Sequence, residues 1–459
     1  MKYQVTNPAT GKIESEYPTA TDAGISEVLA RAAGGYASWK TTDMAQRAEI
    51  IARAGQLHAE RADELGAIIT REMGKPTRQA KGEALYCATI YKYYADNAAE
   101  LLKDQLLQSN TPGTAVVRKS SIGPVLGIMP WNYPYYQVAR FAAPNLMIGN
   151  AVVLKHAPQC PESALAMEQI FRDAGLPADA YINVFASNEQ VATMVADPRI
   201  CGVSVTGSER AGSAVAAAAG QNLKKVVLEL GGSDPFIVLD APNIAAVAKA
   251  AVGARMANAG QACNAAKRMI VADPVYDDFM QEFVKLMSAQ VAGDPTDPAI
   301  TYGPLSSEQA AVSLMAQIDD AVSKGATVHT GGHRIDRPGA FVEATVLSGV
   351  TPEMRAFSEE LFGPAAVVYR VKDADEAVAL ANSSSFGLGG SVWTTDEAVA
   401  AQVADQLEVG MVWINRTEGG GAELPFGGTK RSGVGRELGP LGIEEFVNEK
   451  LIHTKPADA

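Results

Sequence analysis

Short apolar runs that alternate with helical segments constrain this chain more than any other feature. The runs at 124–128, 151–154, 182–185, 202–205 and 226–230 alternate with segments of helical spacing. A second set follows at 236–239, 269–271, 367–369, 390–393 and 410–414, with helical patterns at 276–291 and 307–324 among them. Strand-then-helix alternation is satisfied by a parallel sheet covered on both faces. Two such sets predict an α/β chain with two α/β domains that meet near Gly231-Gly232. Open sheets of this kind bind ligands beyond the carboxyl ends of their strands, and a domain junction makes a cleft.

Residues 1–100 read as mostly helical. Residues 45–75 place Ile50, Ile51, Ala54, Leu57, Leu65, Ile68 and Ile69 at helical spacing, and Gly74-Lys75-Pro76 ends the pattern. A further helix is expected over 83–103. Ser109-Asn110-Thr111-Pro112-Gly113 turns the chain into an extended excursion at 115–121, which the tail at 446–454 is placed to pair with as a small β flap.

Composition excludes several function classes. Among 459 residues, Lys+Arg number 39 against Asp+Glu 52, a net charge of -13. An acidic surface repels nucleic acid and anionic membranes, so neither is an expected partner. Cys87, Cys160, Cys201 and Cys263 form no CxxC pair and the five histidines no HExxH, so no metal site is expected. Unpaired thiols and an opening without a signal-peptide core lead to the expectation of a cytoplasmic location. No run of about eighteen apolar residues suggests a membrane span.

Against that background one loop carries chemistry. Asn258-Ala259-Gly260-Gln261-Ala262-Cys263-Asn264-Ala265-Ala266-Lys267-Arg268 sets a cysteine among small residues. It follows Leu228-Glu229-Leu230-Gly231-Gly232 by about thirty residues. A thiol and a carboxylate at a strand end suggest nucleophilic catalysis through a thioester. A lone cysteine is otherwise a small buried hydrophobe. Asn132, in Met129-Pro130-Trp131-Asn132-Tyr133-Pro134, is either an oxyanion donor or the cap of the following helix. Lys155, in Lys155-His156-Ala157-Pro158, is either a ribose or phosphate contact or a snorkelling surface group. Thr206-Gly207-Ser208 offers backbone N–H groups to a pyrophosphate without being a GxGxxG. Glu360 and Phe362, in Glu359-Glu360-Leu361-Phe362-Gly363-Pro364, suit sugar hydroxyls and a flat ring, or else a solvated Glu pair beside a core Phe.

Taken in order, PWN, LELGG, GQxC, EExFGP and PFGG resemble the aldehyde dehydrogenase superfamily over essentially the whole chain. The resemblance implies a Rossmann-like NAD(P)-binding domain at 1–108 and 128–231 and a catalytic domain at 232–436. It also implies an oligomerisation segment at 109–127 and 437–459, and a homodimer or homotetramer. It makes Cys263 the nucleophile, Asn132 and the Cys263 N–H the oxyanion site, and Glu229 the activator of the deacylating water. Met129, Pro130, Trp131, Lys155, Pro158, Thr206, Gly207, Ser208, Leu230, Gly231, Glu360 and Phe362 would then hold the cofactor.

Within the superfamily the chain looks most like the branch that oxidises succinate semialdehyde. Arg140 follows Asn132 by eight positions, about two helical turns, so the two are expected on one helix face. A guanidinium grips a carboxylate through two parallel hydrogen bonds; an ordinary ion pair is the alternative for Arg140. Arg416, just before residues 418–421, is a second candidate, while Tyr133, Tyr136 and Phe426 would shape the tunnel. Pro158 stands where NAD-preferring members often carry an acid, which favours NADP while leaving NAD usable. Ala265 replaces the second cysteine of a redox switch, so none is expected. Glutarate semialdehyde or another small aldehyde, and a non-catalytic family member, are the competing readings.

Overall fold

The computed structural model describes residues 2–417 and 420–455. Residues 418 and 419, in the loop expected after Arg416, and 456–459, at the end of the expected flap segment, lie outside the described residues. So does residue 1.

The first apolar set forms a six-stranded sheet in the order Gly433–Val434, Lys225–Glu229, Gly202–Thr206, Pro124–Met129, Ala151–His156, Tyr181–Asn183. Its strands are parallel except for the short Gly433–Val434 edge. Adjacent residues feed opposite faces, as the period of two requires. Val125 and Val152 join a core with Ile51, Ile90 and Val138, while Leu126 and Val153 join another with Ile25, Leu29 and Met194. The second set forms a seven-stranded sheet in the order Thr327–Thr330, Thr345–Ser348, Ala365–Val371, Ala266–Ala272, Asp234–Val238, Gly389–Trp393, Met411–Ile414. Only Thr327–Thr330 runs antiparallel to its neighbour. This sheet too is covered on both sides, by cores around Phe236 and Met269 and around Ile237 and Ile270.

Thr114–Ser121 pairs antiparallel with Val447–Thr454 along its whole length, from Thr114 opposite Thr454 to Ser121 opposite Val447. Gln105–Leu107 completes this three-stranded flap. The structure therefore corrects three expected boundaries. Strand Pro124–Met129 and strand Gly433–Val434 belong to the first sheet, although the sequence reading put 124–127 in the flap and 433–434 in the second domain. Gln105–Leu107 belongs to the flap.

The N-terminal region also departs from a purely helical reading. Tyr3–Asn7 and Lys12–Tyr17 form a hairpin, anchored by buried Tyr3 and Val5. The expected helix over 45–75 is two helices, Met44–Glu60 and Ala62–Met73, broken at Arg61. The second ends at Gly74 with φ +77, the left-handed cap that glycine favours. Helix Thr77–Leu101 then packs against both and against helix Pro134–Ile148.

Candidate active site

Helix Ile244–Met256 ends in a tight turn, Ala257–Gly260, in which Asn258, Ala259 and Gly260 have φ of +52, +55 and +74. Left-handed backbone is unfavourable at Ala and persists only where its surroundings dictate it. Here they do. Asn258 Nδ2 donates to Asn132 O at 2.8 Å, and Asn258 N donates to Gln79 Oε1 at 3.0 Å. Gln261 Oε1 accepts from Ser306 N at 2.9 Å. Buried Arg255 donates to Gly260 O and to Leu361 O. A Cβ at Gly260 would lie 2.2 Å from Gly363 O, so only glycine fits there. The turn delivers Cys263 to a bend immediately before strand Ala266–Ala272.

Asn132 sits between strand Pro124–Met129 and helix Pro134–Ile148, 4% exposed. It does not cap that helix. Glu83 does so instead, accepting from Tyr135 N at 2.9 Å and Tyr136 N at 3.1 Å. Asn132 Nδ2 donates to Gln261 O at 3.1 Å, which ties the amide to the cysteine loop and uses one of its two N–H groups. Because Asn132 precedes the helix, it shares no helix face with Arg140, contrary to expectation.

Glu229 ends strand Lys225–Glu229 and is 1% exposed. Neither of its carboxyl oxygens has a hydrogen-bond partner among the described residues. Burial raises its pKa well above the usual carboxylate value; nearby Glu437 adds to the rise, and Arg140 and Arg436 oppose it. Gly427, at φ +150, makes room for it: a Cβ there would stand 2.6 Å from Glu229 Oε1. Burial likewise pushes the Cys263 thiol up to about 12, against the pull of Arg140 and Lys267.

Two cavities meet at Cys263. One, of about 300 Å³, is lined by Tyr133, Tyr136, Arg140, Trp413 and Phe426. The other, of about 280 Å³, is lined on one side by Pro130, Trp131 and Asn132. Thr206, Gly207, Ser208, Leu230 and Gly231 form its opposite wall, with Glu360 and Phe362. Cys263 and Gln137 border both. Trp131 and Phe362 meet edge to face at 5.6 Å. Glu229 lines neither cavity.

Several expected site residues take other places. Ser208 caps helix Glu209–Gln221, its side chain accepting from Ala211 N, so only its backbone is free for a phosphate. Met129 is buried and lines neither cavity. Pro158 lies in a separate groove beside Gln4 and Thr6 of the N-terminal hairpin. Lys155 lies outside both cavities, 6% exposed and 5.9 Å from the Tyr3 ring centre, and burial lowers its pKa to about 8. Arg416 is exposed over Trp413 and is not part of the cavity wall. Arg140 does line the wall and also forms the ion pair that was its alternative, Nε to Glu437 Oε2 at 2.7 Å.

A family model described as "Aldehyde dehydrogenase family" matches residues 1–452. The chain belongs to the aldehyde dehydrogenase family. It is similar to a succinate-semialdehyde dehydrogenase (NADP(+)) of Deinococcus radiodurans, 52% identical over 99% of this chain and 95% of that one. It also resembles the one of Mycobacterium avium, 44% identical over 97% and 95%. Among solved structures it matches succinic semialdehyde dehydrogenase from Streptococcus pyogenes in complex with NADP+. That match has a TM-score of 0.96 and 41% identity, and covers 99% of this chain and 100% of the other.

The second cavity of this aldehyde dehydrogenase fits a nicotinamide dinucleotide. Thr206 Oγ1 is buried without a hydrogen-bond partner among the described residues, the first N–H groups of helix Glu209–Gln221 have no intrahelical acceptor, and a Cβ on Gly207 would meet nothing within 4 Å. No cluster of three or more His, Cys, Asp or Glu side chains among the described residues is arranged for a metal ion. No helix among them is long and apolar enough to cross a membrane.

Sequence reasoning missed Gln137, Glu83, Glu437, Arg255 and Lys267. Glu83 meets Tyr135 and Tyr136, Glu437 meets Arg140, and Lys267 meets Glu360 across long stretches of chain, and single-chain periodicity carries no trace of such pairs. Lys267 alone gave a local signal: a lysine beside Arg268 at the head of a fully buried strand.

Proposed function

We propose that this aldehyde dehydrogenase oxidises succinate semialdehyde to succinate with NADP, through a covalent intermediate on Cys263. The observation that carries the substrate assignment is Arg140, a buried guanidinium on the wall of the cavity that ends at Cys263. Its Nη2 has no hydrogen-bond partner among the described residues, and its Nη1 only Tyr136 Oη at 3.4 Å. A carboxylate at the far end of a four-carbon aldehyde satisfies those donors while its carbonyl reaches the sulfur. The relatives' names support the same substrate and cofactor.

The chemistry runs on this chain's own groups. The Cys263 thiol gives up its proton to solvent as its sulfur bonds to the aldehyde carbon. The second Asn132 N–H and the Cys263 N–H hold the oxygen that becomes negative. A nicotinamide cofactor held by Thr206, Gly207, Ser208, Glu360 and Phe362 in the second cavity would supply the hydride acceptor for the oxidation. Glu229 then takes a proton from water that attacks the thioester; the S–C bond breaks and succinate departs. Burial, which raises the Glu229 pKa above the usual carboxylate range, makes its carboxylate a stronger base than a solvated one.

The first sheet and its helices would bind the cofactor, and the second would supply the nucleophile. The flap would join copies into a homodimer or homotetramer. Leu106 and Leu451 on the flap are 73% and 63% exposed, which supports a partner surface there. Four free cysteines support a cytoplasmic setting.

The test compares succinate semialdehyde with butanal, its uncharged counterpart, using NADP and NAD in parallel. The expected result is a clear preference for the acid and for NADP. Equal kcat/KM for the two aldehydes would contradict the substrate assignment.

A further inference from the structure

Lys267 stands at the head of strand Ala266–Ala272 and is 1% exposed. Its Nζ lies 2.9 Å from Ala262 O, 2.6 Å from Cys263 O and 3.0 Å from Glu360 Oε1. Three acceptors use all three N–H groups of an ammonium; a neutral amine has too few. The cage is tight. A Cβ on Gly232 would sit 2.4 Å from Cys263 O, and Gly232 N itself donates to Glu360 Oε1 at 3.2 Å.

The contact with Ala262 O has a directional consequence. The peptide that ends in Ala262 O begins with Cys263 N, and no peptide bond among the described residues is cis. In a planar trans peptide the C=O and N–H point in opposite directions. Holding Ala262 O on one side therefore aims the Cys263 N–H to the other. No described residue accepts a hydrogen bond from that N–H. A cation on the carbonyl oxygen also polarises the peptide and strengthens its N–H as a donor.

We propose that Lys267 is a positioning residue of the oxyanion site, aiming and polarising the Cys263 N–H from behind and tying it to Glu360 on the cofactor side. The inference rests on Cys263 being the nucleophile and is independent of which aldehyde is the substrate. Lys267 touches no reacting atom and acts through the Ala262–Cys263 peptide.

The experiment compares two reactions of the same sulfur, both without cofactor and without a substrate carboxylate. In the first, 4-nitrophenyl acetate acylates Cys263. The thiol proton goes to solvent, an S–C bond forms through a tetrahedral oxyanion, and the C–O bond breaks to release 4-nitrophenolate. In the second, iodoacetamide alkylates Cys263 by displacing iodide, and no oxyanion forms. Both rates scale with the same population of folded sites, so their ratio is insensitive to partial unfolding.

Lys267→Met is compared with wild type. Lys267→Met combined with Glu360→Gln is compared with Glu360→Gln alone, to avoid stranding a buried carboxylate. The expected result in both pairs is a fall in acylation about ten- to hundredfold greater than any fall in alkylation, somewhat less than loss of a whole oxyanion donor. Lys267→Arg, which keeps the charge, is expected to recover part of the loss. An unchanged ratio of acylation to alkylation would overturn the proposal, whether both rates fall together or neither falls. If acylation and alkylation respond as expected but succinate semialdehyde is not oxidised, the substrate assignment fails and the role of Lys267 stands.

Discussion

Arg140 Nε and Glu437 Oε2 stand 2.7 Å apart, both side chains buried, at the wall of the cavity that leads to Cys263. The guanidinium is also sandwiched, 4.7 Å from the Tyr136 ring centre and 4.3 Å from that of Phe426. Its charge is thus anchored by Glu437 and flanked by two aromatic rings, while its Nη2 has no hydrogen-bond partner among the described residues. A flexible arginine loses entropy when it binds a carboxylate; an arginine held this way has already lost it.

Replacing Arg140 by Leu strands Glu437 as a buried unpaired carboxylate, and a stability loss of about 3–5 kcal/mol is expected. The informative quantity is therefore a ratio. The preference in kcat/KM for succinate semialdehyde over butanal should fall about ten- to hundredfold, the value of a charged hydrogen bond of about 1.5–3 kcal/mol. An unchanged preference in the folded variant would remove Arg140 from substrate recognition.

Lys155 bears on cofactor choice through pH. Burial lowers its pKa to about 8, so its ammonium is present below that value and lost above it. If it pairs with the 2′-phosphate, the affinity for NADP should weaken as pH rises through about 8 while that for NAD changes little. Lys155→Met should flatten the difference and lower NADP affinity about tenfold. Titration of both cofactors across that range checks it; parallel pH profiles in the wild type would contradict it.

Gly427→Ala puts a Cβ 2.6 Å from Glu229 Oε1 and 2.8 Å from Gly435 O, at a φ of +150 that disfavours any side chain. Displacing Glu229 should slow hydrolysis of the thioester while leaving the steps before it. The expected kinetics are a first-turnover burst of reduced cofactor followed by a steady rate about tenfold lower or less, in line with the cost of small misplacements. Loss of the burst together with the steady rate would argue against a role for Glu229 confined to deacylation.

Both sheets were legible in the sequence, because buried parallel strands read as continuous apolar runs and each was present at its expected place. The pairing of Thr114–Ser121 with Val447–Thr454 was legible as well. The hairpin at Tyr3–Asn7 was not: Lys12–Tyr17 reads KIESEY, mostly exposed, with no apolar alternation. Strands Thr327–Thr330 and Thr345–Ser348 were missed because each is only four residues long, the first a mostly exposed edge strand. At the site, the motifs named Cys263 and Asn132, which the Asn132–Gln261 and Asn258–Asn132 hydrogen bonds hold at one turn, and Glu229, which lines neither cavity. They did not reveal Glu437 or Lys267, whose meaning lies in partners brought close by the fold: Arg140 across the chain, and the back of the Cys263 peptide. Pro158 and Arg416 show the reverse error. Each stands near a motif in sequence yet lines neither of the two cavities at Cys263.

The central claim is that Cys263, between the two cavities, carries the acyl group. The most direct measurement is the intact mass, followed by peptide mapping, of Glu229→Gln enzyme after a single turnover with NADP and succinate semialdehyde. A succinyl thioester on Cys263 is expected, formed with one equivalent of reduced cofactor and persisting because its hydrolysis has lost its base. Turnover without an adduct, an adduct on another residue, or undiminished oxidation by Cys263→Ala would contradict it.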